Sequence, residues 1–324
     1  MTHIWRKVYF WVWPETVRWG WTVADIVSWF EKTDSDFQDR YELGEDNGAN
    51  GSIVEWTDVF LKQSFADWKL EWALKMNSIS SFLLALLWEK ITTANADDTF
   101  SHLFNFSESN THQSLVVAKE TPIEKMLYKL SMIKSFEISA EIWEIAKVTI
   151  NLESKPWVED WTITKNFELD HNFLSRFWIF KLASTYSALW IASAMDLRSF
   201  KLTFTPNTEK RGSLWDTSPV EIINKTYNIT WTVEFDYKDN IVKDIALSTQ
   251  KKALQFAIVD DEKIIWTWTR NPKIDFKFYR VAFTSYEVSE PNDDVVTQSL
   301  NFKALYDFWN NATLTCDLVN TLDF

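Results

Sequence analysis

Glycine is nearly missing from this 324-residue chain, which has five where ordinary usage of roughly 7% would give about 23. Cysteine is rarer still: Cys316 is alone, so no internal disulfide can form, an oxidised secreted scaffold is excluded and folding in a reducing cytoplasm is expected. The four histidines, His3, His102, His112 and His171, are scattered, and none stands at metal-ligand spacing with another His or the Cys. No apolar run exceeds Phe82 to Trp88, far short of the roughly 20 residues that span a bilayer. The N-terminal Met-Thr-His-Ile lacks the basic region and apolar stretch of a secretory signal, so neither secretion nor membrane insertion is expected. Positive charge is also in deficit, 33 Lys plus Arg against 46 Asp plus Glu, and a net −13 disfavours an electrostatic grip on phosphate backbones.

Tryptophan is what the chain has in excess. Its 20 tryptophans and five glycines together come close to the expected glycine number alone. Many stand in turn contexts: Trp13 precedes Pro14, Trp19 and Trp21 flank Gly20, Trp157 and Trp161 bracket Val-Glu-Asp after Pro156, and Trp266 and Trp268 lie in Ile-Trp-Thr-Trp-Thr-Arg-Asn-Pro. Glycine is used in such places for its positive φ. The expectation is a gene from a lineage that reads UGA as glycine, written here with UGA as tryptophan. UGG codons at most of these positions would refute it. Most of these indoles are then expected to be exposed or awkwardly packed in turns, several at positive φ.

With 46% hydrophobic residues the chain can bury a large core. Apolar residues alternate with polar ones, the period of half-buried strands, at Leu70, Leu74 and Met76, at Phe136, Ile138 and Ala140, and at Val148, Ile150 and Leu152. The second half repeats this at Phe200, Leu202 and Phe204, at Val233, Phe235 and Tyr237, at Ile274, Phe276 and Phe278, and at Leu300 and Phe302. The fold class is therefore mainly β. Two stretches with helical spacing, Ser78 to Lys90 and Ile241 to Leu254, interrupt it. Each follows an alternating strand that begins near a tryptophan and precedes short strands and then a longer strand pair. That order predicts two tandem copies, residues 1–177 and 178–324.

The segment 31–57 is acidic and too polar for a core, so it is expected to be a long loop or an extended hairpin arm, carrying Asp34, Asp36, Asp39, Arg40, Glu42, Glu45 and Asp46. A second polar stretch, Thr205 to Ser218, suggests another arm. Signs of catalysis are sparse. Cys316 lies in an alternating segment and reads as a small buried hydrophobe. The pairs Asp97-Asp98, Asp260-Asp261 and Asp293-Asp294 read as solvated turns rather than catalytic carboxylates or calcium ligands. Glycine written for tryptophan creates neither a phosphate-binding loop nor a nucleophile elbow. No catalytic residue, metal or cofactor is expected.

With that substitution, Lys7 to Thr22 becomes a strand followed by Gly-Val-Gly-Pro-Glu-Thr-Val-Arg and a glycine cluster, which resembles the opening of bacteriophage tail tube proteins; Pro14 departs from the Lys common before that Glu. The resemblance continues through the acidic arm, Trp68 to Lys90, the aromatic strand Thr99 to Phe106 with its His, Ile133-Lys-Ser-Phe-Glu-Ile-Ser-Ala-Glu, and Asn292-Asp-Asp-Val-Val-Thr-Gln-Ser-Leu-Asn-Phe-Lys-Ala-Leu-Tyr. The resemblance implies a β-sandwich or half-barrel whose protomers form six-fold rings, or trimeric pseudo-hexameric ones, stacked into a hollow tube. It implies too that arms clamp adjacent rings, which would make Asp34, Asp36, Asp39, Arg40, Glu42, Glu45 and Asp46 contact residues between rings. Viral DNA would pass an acidic lumen without specific binding, and tape measure and tail terminator proteins would be further partners in the virion. The rival readings are a carbohydrate-binding or adhesin-type β-sandwich with genuine tryptophan platforms, and an enzyme on a β scaffold, which needs a pocket of convergent polar groups.

Overall fold

The computed structural model describes residues 8–15, 18, 28–30, 33–46, 58–95, 98–159, 170–248, 250–262, 265, 270–291 and 295–323. The chain is mainly β as expected, with 60% of residues in strands and 8% helical, in a large antiparallel sheet consistent with a β-sandwich. The first half contains β1 (Tyr9–Pro14), β2 (Ser28–Phe30), β3 (Asp34–Asp46), β4 (Asp58–Ala73), α1 (Ser80–Leu87), β5 (Trp88–Ala94), β6 (Phe100–Phe106), β7 (Leu115–Glu120), β8 (Lys125–Glu141), β9 (Lys147–Ser154) and β10 (Val158–Glu159). The second contains β11 (Trp178–Ala183), β12 (Ala194–Met195), β13 (Ser199–Thr205), β14 (Thr208–Arg211), β15 (Glu221–Asn224), β16 (Asn228–Asp236), α2 (Ile241–Leu247), β17 (Lys252–Val259), β18 (Lys273–Ser289), β19 (Thr297–Ala304) and β20 (Leu314–Asn320).

Eight strands form one continuous antiparallel run in the order β3-β4-β9-β8-β13-β16-β19-β18. Alternation builds this layer, because a period of two sends one set of side chains to the core and the other to the opposite face. Leu70, Ile150, Ile138, Leu202, Val233 and Leu300 are all buried on the inner side. The second layer uses the other ends of the two 17-residue strands: the start of β8 pairs with β7 and β10, and the start of β18 pairs with β17 and β20. Aromatic rings join the layers in the second half, Phe204 with Phe276 and Phe200 with Phe256. In the first half α1 fills the same space: Ser80–Leu87 is almost wholly buried, with Phe82 against Trp72.

The two halves have matching pairings. The orders β3-β4-β9-β8 and β13-β16-β19-β18 correspond, and β1-β7-β8 corresponds to β11-β17-β18. Each long hairpin carries a one-residue bulge at the same place, Lys134 in β8 and Thr284 in β18. Beside each bulge the same bond recurs: Asn151 Nδ2 donates to Ser135 Oγ at 2.6 Å, and Asn301 Nδ2 donates to Ser285 Oγ at 2.6 Å. The halves do not stand apart, since β8 pairs with β13 and β6 with β20.

The helices are shorter than their apolar spacing predicts. The expected tails of Ser78 to Lys90 and Ile241 to Leu254 are taken by β5 and the start of β17, because strand partners β6 and β18 claim those backbones. At the end of α1, Trp88 has φ 77° while its N–H bonds Leu84 O, a helix-terminating conformation that favours glycine. Trp143, in the turn between β8 and β9, has φ 68°. Trp143, Trp190, Trp215 and Trp309 are exposed, as expected of turn residues.

For other tryptophans the expectation of exposed or turn positions fails. Trp11, Trp13, Trp68, Trp72 and Trp231 are buried core residues on strands, where alternation directs them inward regardless of what precedes them. Burial still leaves Nε1 of Trp13, Trp178 and Trp231 without a hydrogen-bond partner, a cost that buried indoles usually avoid. Of the turn tryptophans singled out by the sequence, Trp157 is half-buried, and Trp19, Trp21, Trp161, Trp266 and Trp268 lie outside the described residues.

Candidate functional site

Three surfaces stand out: the outer face of the eight-stranded run, its two edges, and the hairpin that projects from one of them. The outer face is polar because every residue between the buried positions points there. It carries Asp67, Glu71, Glu137, Glu141, Glu234 and Glu287 among Ser, Thr and Asn side chains, with fewer cations. Lys201 Nζ lies 2.8 Å from Glu137, Lys69 lies 3.4 Å from Glu71, and Lys134 lies 3.8 Å from Asp67. These are half-exposed pairs, each contributing about 0–1 kcal/mol, so the face is held by its ladder and not by its charges.

The arm is a hairpin. β3 pairs with β4 from Asp34 opposite Glu71 to Asp46 opposite Asp58, whereas β9 covers β4 only from Ala73 to Ala66. The ladder beyond Asp39 and Ala66 therefore projects past β9. Its tip, residues 47–57, lies outside the described residues. Of the candidate assembly residues, Asp34, Asp36 and Asp39 sit on the part backed by β9, and Arg40, Glu42, Glu45 and Asp46 sit on the projecting part. The projecting part also exposes apolar side chains that its acidic composition does not announce: Tyr41, Leu43, Val59 and Leu61, with Phe60 on the opposite face. The Phe60 ring lies across Gly44 so closely that a Cβ at position 44 would stand 2.4 Å from Cζ, which gives this written glycine a steric role.

Asp39 faces inward from its edge. Burial raises its pKa, an effect opposed by Lys119, and its Oδ1 is buried without a hydrogen-bond partner. The second expected arm, Thr205 to Ser218, contains β14, which pairs with β15 and folds back on the first half. Lys210 Nζ lies 3.1 Å from Glu153 and 3.1 Å from the centroid of the Phe65 ring, and Ser64 N–H donates to Thr217 O.

The chemistry-bearing residues are structural in their surroundings. Cys316 is fully buried in β20, and burial lifts its thiol well above the usual range, as its alternating segment implied. His102 and His112 are buried, with pKa values lowered first by desolvation. His112 contacts Leu86 O at 3.1 Å, Ser107 O at 3.0 Å and the Tyr227 hydroxyl at 2.8 Å, tying the end of α1 to the residue just before β16. Asp260 corrects the expectation of a solvated turn: it is buried and lies 2.6 Å from His171 Nε2. The two residues are far apart in sequence, so no local pattern announced the pair. Asp98 stands at φ 53° in its turn, and Asp97, Asp293 and Asp294 lie outside the described residues.

No group of three or more His, Cys, Asp or Glu side chains at metal-binding distance occurs among the described residues. Two clefts, of about 280 Å³ beside Asn110, Asn224 and Tyr227 and about 350 Å³ beside Glu141, Arg176 and Arg198, have no histidine or cysteine among their described lining residues. The second covers the outer end of the β8–β13 pairing. One sequence signal for the matching halves was available and missed: Ser135-Phe-Glu-Ile-Ser and Ser285-Tyr-Glu-Val-Ser occupy the same position after the two bulges.

No protein-family model matches the chain, and no curated protein matches it.

Proposed function

We propose that this protein is the repeating subunit of a bacteriophage tail tube, built from two tandem copies of one β unit, and that it acts by assembly and not by catalysis. The observation that carries this reading is the eight-stranded run with a polar outer face and a different strand at each end, β3 and β18. Such a sheet is a segment of a larger closed wall, because heterologous contacts between unlike edges generate rings or open filaments. Three protomers would then supply six similar units per ring. The outer face would line the lumen, where its carboxylates repel DNA phosphates so that the duplex slides without being held.

The projecting hairpin fits a contact between stacked rings. Its exposed Leu43, Val59 and Leu61 share one face of the ladder, Leu43 directly opposite Leu61, and exposed apolar side chains grouped in this way mark an interaction site. The carbohydrate-binding alternative draws less support, since exposed Trp143, Trp190, Trp215 and Trp309 stand on four separate connections and not on one platform. Replacing Tyr41 to Ser64 by a two-residue turn tests the function. This cut spares the strands backed by β9. Electron microscopy should show tubes from the intact protein and none from a folded, soluble truncated one. Intact protein that forms neither rings nor tubes at any concentration would refute the reading.

A further inference from the structure

The internal joint between the halves supplies a template for the joint between molecules, an inference that rests on the assembly reading above. In the internal joint the last part of β8 meets β13, with Phe136 opposite Phe204, Glu137 opposite Thr203, and Ile138 opposite Leu202. The counterparts of these two strands lie at the ends of the run, and neither has a strand on its outer side among the described residues over Asp36–Asp39 of β3 and Tyr286–Ser289 of β18.

The register can be carried across from pairings alone. Ser135 opposite Asn151 matches Ser285 opposite Asn301, so Ile138 corresponds to Val288. Trp68 opposite Leu152 matches Trp231 opposite Phe302, which aligns β4 with β16. Phe37 opposite Trp68 then matches Leu202 opposite Trp231, which aligns β3 with β13. We propose that a second copy of this chain docks its β3 edge antiparallel on the β18 edge of the first, repeating the β8–β13 joint with Gln38 opposite Glu287, Phe37 opposite Val288, and Asp39 opposite Tyr286.

The side chains at these edges suit that occupant. Val288 is 39% exposed while its counterpart Ile138, covered by β13, is fully buried, so the joint would bury an apolar position left open in the single chain. The buried, unpartnered Oδ1 of Asp39 meets the Tyr286 hydroxyl, which in the single chain donates to Gln298 Oε1 at 3.3 Å and which the internal counterpart Phe136 lacks. The Gln38 amide gains the Glu287 carboxylate. Beyond the strand, Glu153 holds Lys210 of the folded-back second arm, and the counterpart of Glu153 is exposed Lys303, a cation suited to the acidic first arm with Glu42, Glu45 and Asp46. Unpaired strand edges are normally blunted, and pairing in a closed ring removes them.

Cysteine pairs test the register, because directly opposed strand residues have Cβ atoms about 4.5–5.5 Å apart, close to what a disulfide spans. Thr203→Cys with Glu137→Cys is the internal control and should close within one chain, which also shows that the variant folds. Gln38→Cys with Glu287→Cys should give, on oxidation, a ladder of disulfide-linked oligomers. A mixture of the two single variants should give linked dimers and nothing larger. Absence of the ladder in variants that assemble into rings or tubes by electron microscopy would overturn the joint and leave the tube reading intact. A ladder from protein that forms no tube would uphold the joint and overturn the tube. Loss of both in protein whose internal control closes would overturn the joint as well.

Discussion

Replacing Trp143 by glycine should stabilise the protein, although most substitutions in folded proteins do the opposite. The indole is 93% exposed, so its removal forfeits almost no buried surface. Its backbone stands at φ 68°, where a residue with a Cβ carries a strain of about 1–2 kcal/mol that glycine does not. Against this, glycine makes the unfolded chain more disordered by about 0.4–1 kcal/mol. The net gain is about 0.5–1 kcal/mol, read as a higher denaturant midpoint at unchanged slope. Trp190 is the control: it is 81% exposed and is not among the residues at positive φ, so Trp190→Gly should lower stability through the same unfolded-state entropy. Equal losses from both replacements would refute the claim that position 143 is built for glycine. UGA at codons 88 and 143 is the matching genetic expectation, and UGG at both would remove it.

Three further outcomes follow from the geometry. Asp36→Lys should tighten assembly, because Asp36 is the counterpart of Lys201, whose ammonium lies 2.8 Å from Glu137, and lysine would place the same pair against Glu287; a several-fold fall in the concentration needed for assembly checks it by sedimentation, and a rise would contradict the register. Lys277→Met should cost about 2–3 kcal/mol by leaving buried Asp275 short of charge compensation: burial opposes charging Lys277, but its bond to Asp317 at 2.8 Å and the charge of Asp275 at 3.3 Å raise its pKa, and Lys273 only partly replaces it. Stability should fall on acidification below about pH 6.5, because burial lowers the pKa of His112 and His102 in the folded chain and the unfolded chain then binds more protons, a slope of at most about 1.4 kcal/mol per pH unit for each histidine. His112→Gln should flatten that slope, and an unchanged slope in urea titrations between pH 5 and 7 would count against the assignment.

The mainly β class, the places of both helices and the long strand pairs were legible in the chain because alternation is a local property: a period of two declares a half-buried strand wherever it occurs. The arm was legible on another ground, since a segment too polar for a core must lie outside it, but only the pairing of β3 with β4 makes it a hairpin and not the long loop equally expected. Tertiary pairing decided what alternation leaves open. Backbone hydrogen bonds are the same for every residue, so nothing in β8 names β13 as its neighbour, and only the matching of buried faces, Ile138 with Leu202 and Phe136 with Phe204, selects partner and register. The same layer placement buried Trp11, Trp68 and Trp72 on strands while Trp143 stayed in solvent. Neighbours in the sequence mark a tryptophan as lying near a turn, but the pleat of its strand decides whether the indole enters the core.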